Sequence, residues 1–158
     1  FLLISCRECN REILPDFFHK TVYGILNILR KYGISEEEVR LWGTGTPLRE
    51  FLWSEEMADA SVFVMEHVDF KDTYKQGDKD IRNCHINIGT GKEISIRELA
   101  ELIVSTVGYQ GQLTFDSTKP DGTMRKLTDP SKLHALGWQH KVEIEEGVQR
   151  MYNWYLGR

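Results

Sequence analysis

The chain has 158 residues, 41% of them hydrophobic and 28% charged, with a net charge of −4. That is enough for one domain with a real core, and Lys and Arg are spread along the chain rather than clustered, which argues against a nucleic-acid-binding surface. No apolar run approaches the ~20 residues that span a bilayer, and three cysteines are an odd count that argues against a disulfide framework and for a reducing, cytoplasmic compartment. Phe1 to Ile4 is apolar but too short for a signal peptide, and the start at Phe reads as a truncated or processed chain.

In chain order, Phe17, Val22, Ile25, Leu26, Ile28 and Leu29 recur at helical spacing, so a helix is expected over Asp16–Tyr32, closed by Gly33. Ser35 to Glu38 reads as a capping box opening a short helix. Val39 to Trp42 reads as a strand ended by the turn Gly43-Thr44-Gly45-Thr46-Pro47, and Arg49 to Trp53 as a second extended piece. Ser54 is the expected cap of a helix running to His67, with Met57, Ala58, Ser61, Val62, Met65 and Val68 on its inner face. Residues 69–83 read as a solvated loop and His85 to Ile88 as a strand.

Ser95 to Glu98 is a second capping box, opening a helix that turns Ile96, Leu99, Ala100, Leu102, Ile103 and Val107 inward and ends at Gly108. A strand over Leu113–Phe115 follows. Asp129-Pro130 reads as an N-cap with proline at the first helical position, Gly137 ends that helix, and a last helix over Glu143–Leu156 buries Val148, Met151, Tyr152 and Tyr155. Short strands alternating with helices give an α/β (α+β) fold with few strands, read as the smaller part of a larger protein.

Several kinds of chemistry are missing. Gly43-Thr44-Gly45 has Leu48 where a dinucleotide fingerprint needs its third glycine, and Gly89-Thr90-Gly91-Lys92 has Ile86 and Glu93 at positions that a phosphate loop reserves for Gly and Ser/Thr. Tyr-x-x-x-Lys, Gly-x-Ser-x-Gly and His-Glu-x-x-His are absent. Cys6-x-x-Cys9 is a weak zinc signal, since Cys84 and His85 would have to complete it and adjacent ligands chelate one ion poorly. No catalytic residue is therefore assigned to the chain.

One stretch is chemically dense: Leu41-Trp42-Gly43-Thr44-Gly45-Thr46-Pro47-Leu48-Arg49-Glu50-Phe51-Leu52-Trp53. A Trp wall, a turn that allows close backbone approach and an Arg that forks onto phosphate oxygens suit a nucleotide diphosphate. A hairpin with Trp42 in the core and Arg49 in a salt bridge uses the same residues.

Trp42 to Leu52 resembles the Trp-Gly-x-Gly-x-Pro-x-Arg-Glu-Phe-Leu segment of GDP-L-fucose synthases, epimerase/reductases of the extended short-chain dehydrogenase/reductase family. The resemblance continues in register through Met57 to Ser61, His85 to Gly91, Phe115 to Leu127, and Leu133 to Trp138 with Glu146-Gly147. It implies that residues 39–158 are a sugar-nucleotide (substrate) binding domain, with residues 1–38 a helical lead-in or variable insertion. It also implies a Rossmann domain, absent from this chain, that binds NADP(H) and carries the catalytic Ser, Tyr and Lys. The full-length enzyme would be a homodimer that converts GDP-4-keto-6-deoxy-D-mannose to GDP-L-fucose, and this chain alone would be inactive.

Carried over by position, Trp42 and Arg49 would line the GDP-sugar site and Lys126 would add a second cation, with Arg125 its neighbouring alternative and Asn87 and Asp121 weaker candidates. A further cationic ligand of the family cannot be placed; Arg30 lies on an expected helix but in unmatched surroundings. Glu55 and Glu56 depart from the family's paired Asp. Rival readings are another nucleotide-sugar epimerase or dehydratase and a stand-alone binding module. Apolar surface built to face a missing domain would make the chain self-associate.

Overall fold

The computed structural model describes residues 38–74, 77 and 83–157. The expected helix over 16–32, most of the first capping box, and Cys6, Cys9 and Arg30 lie outside them. Glu38 is the first residue of a strand rather than part of a helix.

Strand β1 (Glu38–Trp42) alternates exposed Glu38, Arg40 and Trp42 with inward Val39 and Leu41, the period of a half-buried strand. It pairs in parallel with β4 (Gln112–Asp116), from Glu38↔Gln112 to Trp42↔Asp116. A second sheet has the order β3-β2-β5: β2 (Leu48–Arg49) runs antiparallel to β3 (Ile94–Ser95) and parallel to β5 (Arg125–Lys126). Among the described residues four α-helices flank these strands: α1 (Ser54–His67), α2 (Ile96–Val107), α3 (Ser131–Ala135) and α4 (Ile144–Leu156). The mixed α/β class and the few strands among the described residues match the expectation.

The second capping box forms as read. Ser95 Oγ accepts from the Glu98 amide at 3.1 Å, and Glu98 Oε2 accepts from the Ser95 amide at 2.8 Å. Both satisfy donors that would otherwise be orphaned at the start of α2. Gly108 closes the helix in the left-handed conformation. The inner face of α2 supplies Leu99, Ala100 and Ile103 to a core completed by Val39, Tyr109 and Val148, with Met151, Tyr152 and Tyr155 of α4 packed against it.

A second, smaller cluster holds Ala60, Leu133 and Trp138, with Leu52, Phe63, Val64, Ile86 and Ile88 around it. Trp138 is fixed there by its indole N–H, which donates to Asp59 Oδ2 at 2.8 Å. This cluster corrects the expected face of α1. Ala60, Phe63 and Val64 turn inward, while Val62 and Met65 are 50% and 85% exposed. Apolar residues occupy two helical rows of α1, and the docking of Leu133 and Trp138, not periodicity, selects between them.

Other expectations shift. Ser54 is the first helical residue and Trp53 the cap, with no side-chain cap bond. Asp129 still serves the start of α3, accepting from the Ser131 amide at 3.0 Å, but Pro130 is the cap rather than the first helical residue. Arg49 to Trp53 is a strand only at Arg49. His85 to Ile88 joins no ladder; Ile86 and Ile88 pack on the second cluster instead. The loop from residue 69 begins with a 3-10 turn, Phe70–Thr73, closed by a capping box between Asp69 and Asp72. Lys132 of α3 holds the same region, donating to the carbonyls of Thr73 and His85 at 3.1 Å and to that of Asn83.

Candidate functional site

The loop of residues 117–124 reaches Trp42 through Lys119 and Arg49 through Gly122, and Lys126 follows it in the chain. Trp42 ends β1 and is 76% exposed. It is a surface platform, not the core residue of a hairpin. The Lys119 ammonium lies 5.5 Å from the centre of its ring, within cation–π range.

The following turn is held by the same loop. Asp121 Oδ1 accepts from the Thr44 amide at 2.9 Å, and Oδ2 accepts from the Thr44 hydroxyl at 2.7 Å. These two bonds, the hydroxyl's first, hold the Asp121 carboxyl below its ordinary value of 3.8. Arg97 braces the turn from α2: its guanidinium donates to the Thr44 carbonyl at 2.9 Å and lies 3.9 Å from the centre of the Phe115 ring. Gly45 has φ +77, and a Cβ there would fall 2.5 Å from that ring, so the position admits only glycine.

Arg49 leaves β2 half-buried. It donates to the Leu48 carbonyl at 2.6 Å and lies so close to Gly122 that a Cβ on that glycine would sit 3.3 Å from its terminal nitrogen. Arg49 and Lys126 are register partners in the parallel β2–β5 pair. Partners in register stand on one face of a sheet, so the two cations expected from distant parts of the sequence share a face. Lys126 is exposed and makes no ion pair among the described residues. The alternative cation, Arg125, is bound by Glu93 at 2.7 Å, which raises its pKa. That pairing distinguishes the two neighbours.

Asn87 donates to the Asp129 carbonyl at 3.1 Å and borders a separate polar cleft of about 330 Å³ with Asn83, His85, Ser131 and Lys132. Glu56 accepts from the amides of Lys141 and Val142, and Glu55 from the Trp53 indole. Glu56 thus fastens the loop that precedes α4, while the Glu55 contact is local to the start of α1.

Glu50 was not foreseen as part of the site. One oxygen accepts from the amides of Thr90 and Gly91 and from the Thr90 hydroxyl, and the other from the amide and hydroxyl of Thr128. Its partners lie 40, 41 and 78 positions away, so nothing near Glu50 in sequence signals them.

No group of three or more His, Cys, Asp or Glu among the described residues could hold a metal. No described helix is long and apolar enough to cross a membrane. Cations sharing a sheet face and an exposed indole are groups of the kind that pair with phosphate oxygens and pack on aromatic or sugar surfaces.

Residues 16–89 match the NAD dependent epimerase/dehydratase family. The chain is 47% identical over 161 residues to "Probable GDP-L-fucose synthase 1" of Oryza sativa subsp. japonica, covering 99% of this chain and 45% of that protein. It is 49% identical over 120 residues to "GDP-L-fucose synthase 1" of Arabidopsis thaliana, covering 76% and 33%. Among solved structures, a GDP-mannoheptose C4 reductase from Campylobacter jejuni with NADP bound superposes with a TM-score of 0.68 at 41% identity, covering 87% of this chain and 40% of that one. The chain thus spans less than half the length of the curated relatives it matches. The resemblance to GDP-L-fucose synthases holds.

Proposed function

We propose that this chain is the GDP-sugar-binding part of a GDP-L-fucose synthase, the NADPH-dependent enzyme that epimerises GDP-4-keto-6-deoxy-D-mannose at C3 and C5 and reduces it at C4. Trp42, Arg49 and Lys126 line the site. The observation that carries the reading is the β2–β5 register, which places Arg49 and Lys126 side by side beside the loop that reaches Trp42. Two adjacent cations and an exposed indole match the diphosphate and the base or sugar of such a ligand.

The chain's part is to bind and orient. NADP(H) would supply the hydride, but the described residues do not fit it. The Gly43–Gly45 turn is filled by Asp121 and Phe115, and no strand–turn–helix with a glycine cradle is present among them. The cofactor domain and the groups that move protons are therefore assigned to residues outside 38–157, in a cytoplasmic, homodimeric parent enzyme.

A second reading, a GDP-heptose C4 reductase, is favoured by the solved relative at 41% identity. Both readings predict a site selective for GDP; they differ in the sugar. Titration calorimetry of the chain with GDP, UDP and GDP-L-fucose tests them. The expected result is a preference for GDP over UDP of about tenfold or more, lost in Arg49→Ala. Equal binding of GDP and UDP, or none of either, would overturn the proposal.

A further inference from the structure

We infer that Glu50 is a positioning residue for the anion site: its carboxylate sets where Lys126 stands relative to Arg49. The inference rests on the proposed GDP-sugar site and deepens it.

Strand β5 has two residues and pairs only with β2 among the described strands. So short a ladder does not fix its own register. Two contacts flank Lys126 and supply what the ladder lacks. Before it, the Leu48 amide donates to the Met124 carbonyl at 2.8 Å. After it, the amide and hydroxyl of Thr128 donate to Glu50 Oε2 at 2.9 and 2.7 Å.

Glu50 follows Arg49 directly in the chain, so the group that clamps the far end of β5 is tied covalently to the other cation. Its second oxygen anchors it to the turn at residues 90–91, through amide donors at 2.6 and 2.7 Å. Gly89 presses on the same point: a Cβ there would meet Thr128 Oγ1 at 2.1 Å and Glu50 Oε1 at 2.5 Å. The carboxylate therefore has donors on both oxygens and little room to move.

The sign of the effect separates positioning from charge. Glu50→Gln removes a negative charge next to a site for an anion. Through charge alone it would tighten GDP binding. Through positioning it weakens it, because an amide nitrogen cannot accept from Thr128 or from the 90–91 turn.

GDP is titrated calorimetrically into the wild-type chain, Arg49→Ala, Lys126→Ala, Glu50→Gln and the Lys126→Ala/Glu50→Gln pair, with thermal melts alongside. Glu50→Gln is expected to weaken GDP about fivefold, no more than Lys126→Ala does, and to add less than about twofold when Lys126 is already gone. Thr128→Val, which keeps the backbone donor and loses only the hydroxyl, is expected to show a smaller loss and carries the test if Glu50→Gln does not fold. A wild-type chain that ignores GDP, or binds it equally after Arg49→Ala and Lys126→Ala, removes the proposed site and this inference together. Loss in Lys126→Ala with unchanged or tighter binding in Glu50→Gln and Thr128→Val removes the inference alone. An equal loss from Glu50→Gln with and without Lys126 also removes it, since that is general loosening.

Discussion

Gly89→Ala should be among the more damaging single-methyl additions in the described structure. The new Cβ would stand 2.1 Å from Thr128 Oγ1 and 2.5 Å from Glu50 Oε1, and Gly89 is buried. Something must move by about an ångström to restore contact distance. The Glu50 carboxylate is the flexible party, but moving it breaks bonds of 2.6–2.9 Å to Thr90, Gly91 and Thr128. Overpacking costs about 1–3 kcal/mol, and losing a hydrogen bond to a charged acceptor costs about 1.5–3 kcal/mol. Together they give about 2.5–6 kcal/mol, much of a typical stability of about 5–15 kcal/mol. At this chain length the melting temperature should fall by about 5–20 °C. Urea unfolding of Gly89→Ala, Thr128→Ala and the double variant tests the cause. In the double variant the closest clash is gone, so the two costs should not add. A Gly89→Ala chain within about 0.5 kcal/mol of wild type, or a cost undiminished when Thr128 is Ala, would refute the steric reasoning.

Leu99 is fully buried between α2 and its neighbours, so Leu99→Ala should cost about 2–5 kcal/mol in urea unfolding. Met65→Ala, at a side chain 85% exposed, should stay within about 0.5 kcal/mol; a comparable loss there would mean that α1 faces the other way. Asp121 gives a pH prediction. Its folded pKa lies below the usual 3.8, so its contribution is complete above that value and is lost as pH falls through the lowered one. Wild type should therefore exceed Asp121→Asn in melting temperature at neutral pH, with the gap closing only in acid below about pH 4. A gap independent of pH would remove Asp121 as an ionised latch.

The parts of the fold legible in the sequence are those whose causes are local. The Ser95–Glu98 box, the Gly108 cap and the alternation of Val39 and Leu41 each depend on residues within a few positions, and each forms. The failures have distant causes. The inner face of α1 is chosen by Leu133 and Trp138, and Ile86 and Ile88 are buried by a cluster rather than by a ladder. The candidate site divides the same way. Trp42 and Arg49 lie in one dense stretch and stand out by chemistry. Lys126 could be named only by resemblance, because on its own it is an exposed lysine next to an arginine. Its distinction from Arg125 comes from Glu93, a residue that sequence spacing does not connect to either.

Net charge was the least informative quantity, and the reason lies in where the carboxylates are committed. A chain of net −4 is a poor anion receptor if its acidic groups face the ligand. Near the candidate site they face elsewhere. Asp121 is turned onto Thr44, Glu50 onto the donors of Thr90, Gly91 and Thr128, and Glu93 onto Arg125. Each accepts from N–H or O–H donors that offset part of its field at short range. Lys126 has no such partner among the described residues, and Lys119 lies over an exposed indole. Over a screening length of about 8–10 Å, the ligand meets this local arrangement rather than the sum over the chain. Three of the carboxylates that contribute to the negative total, Asp121, Glu50 and Glu93, thus also hold the turn and strands beside the proposed cations, so a net acidic chain is compatible with a local site for an anion.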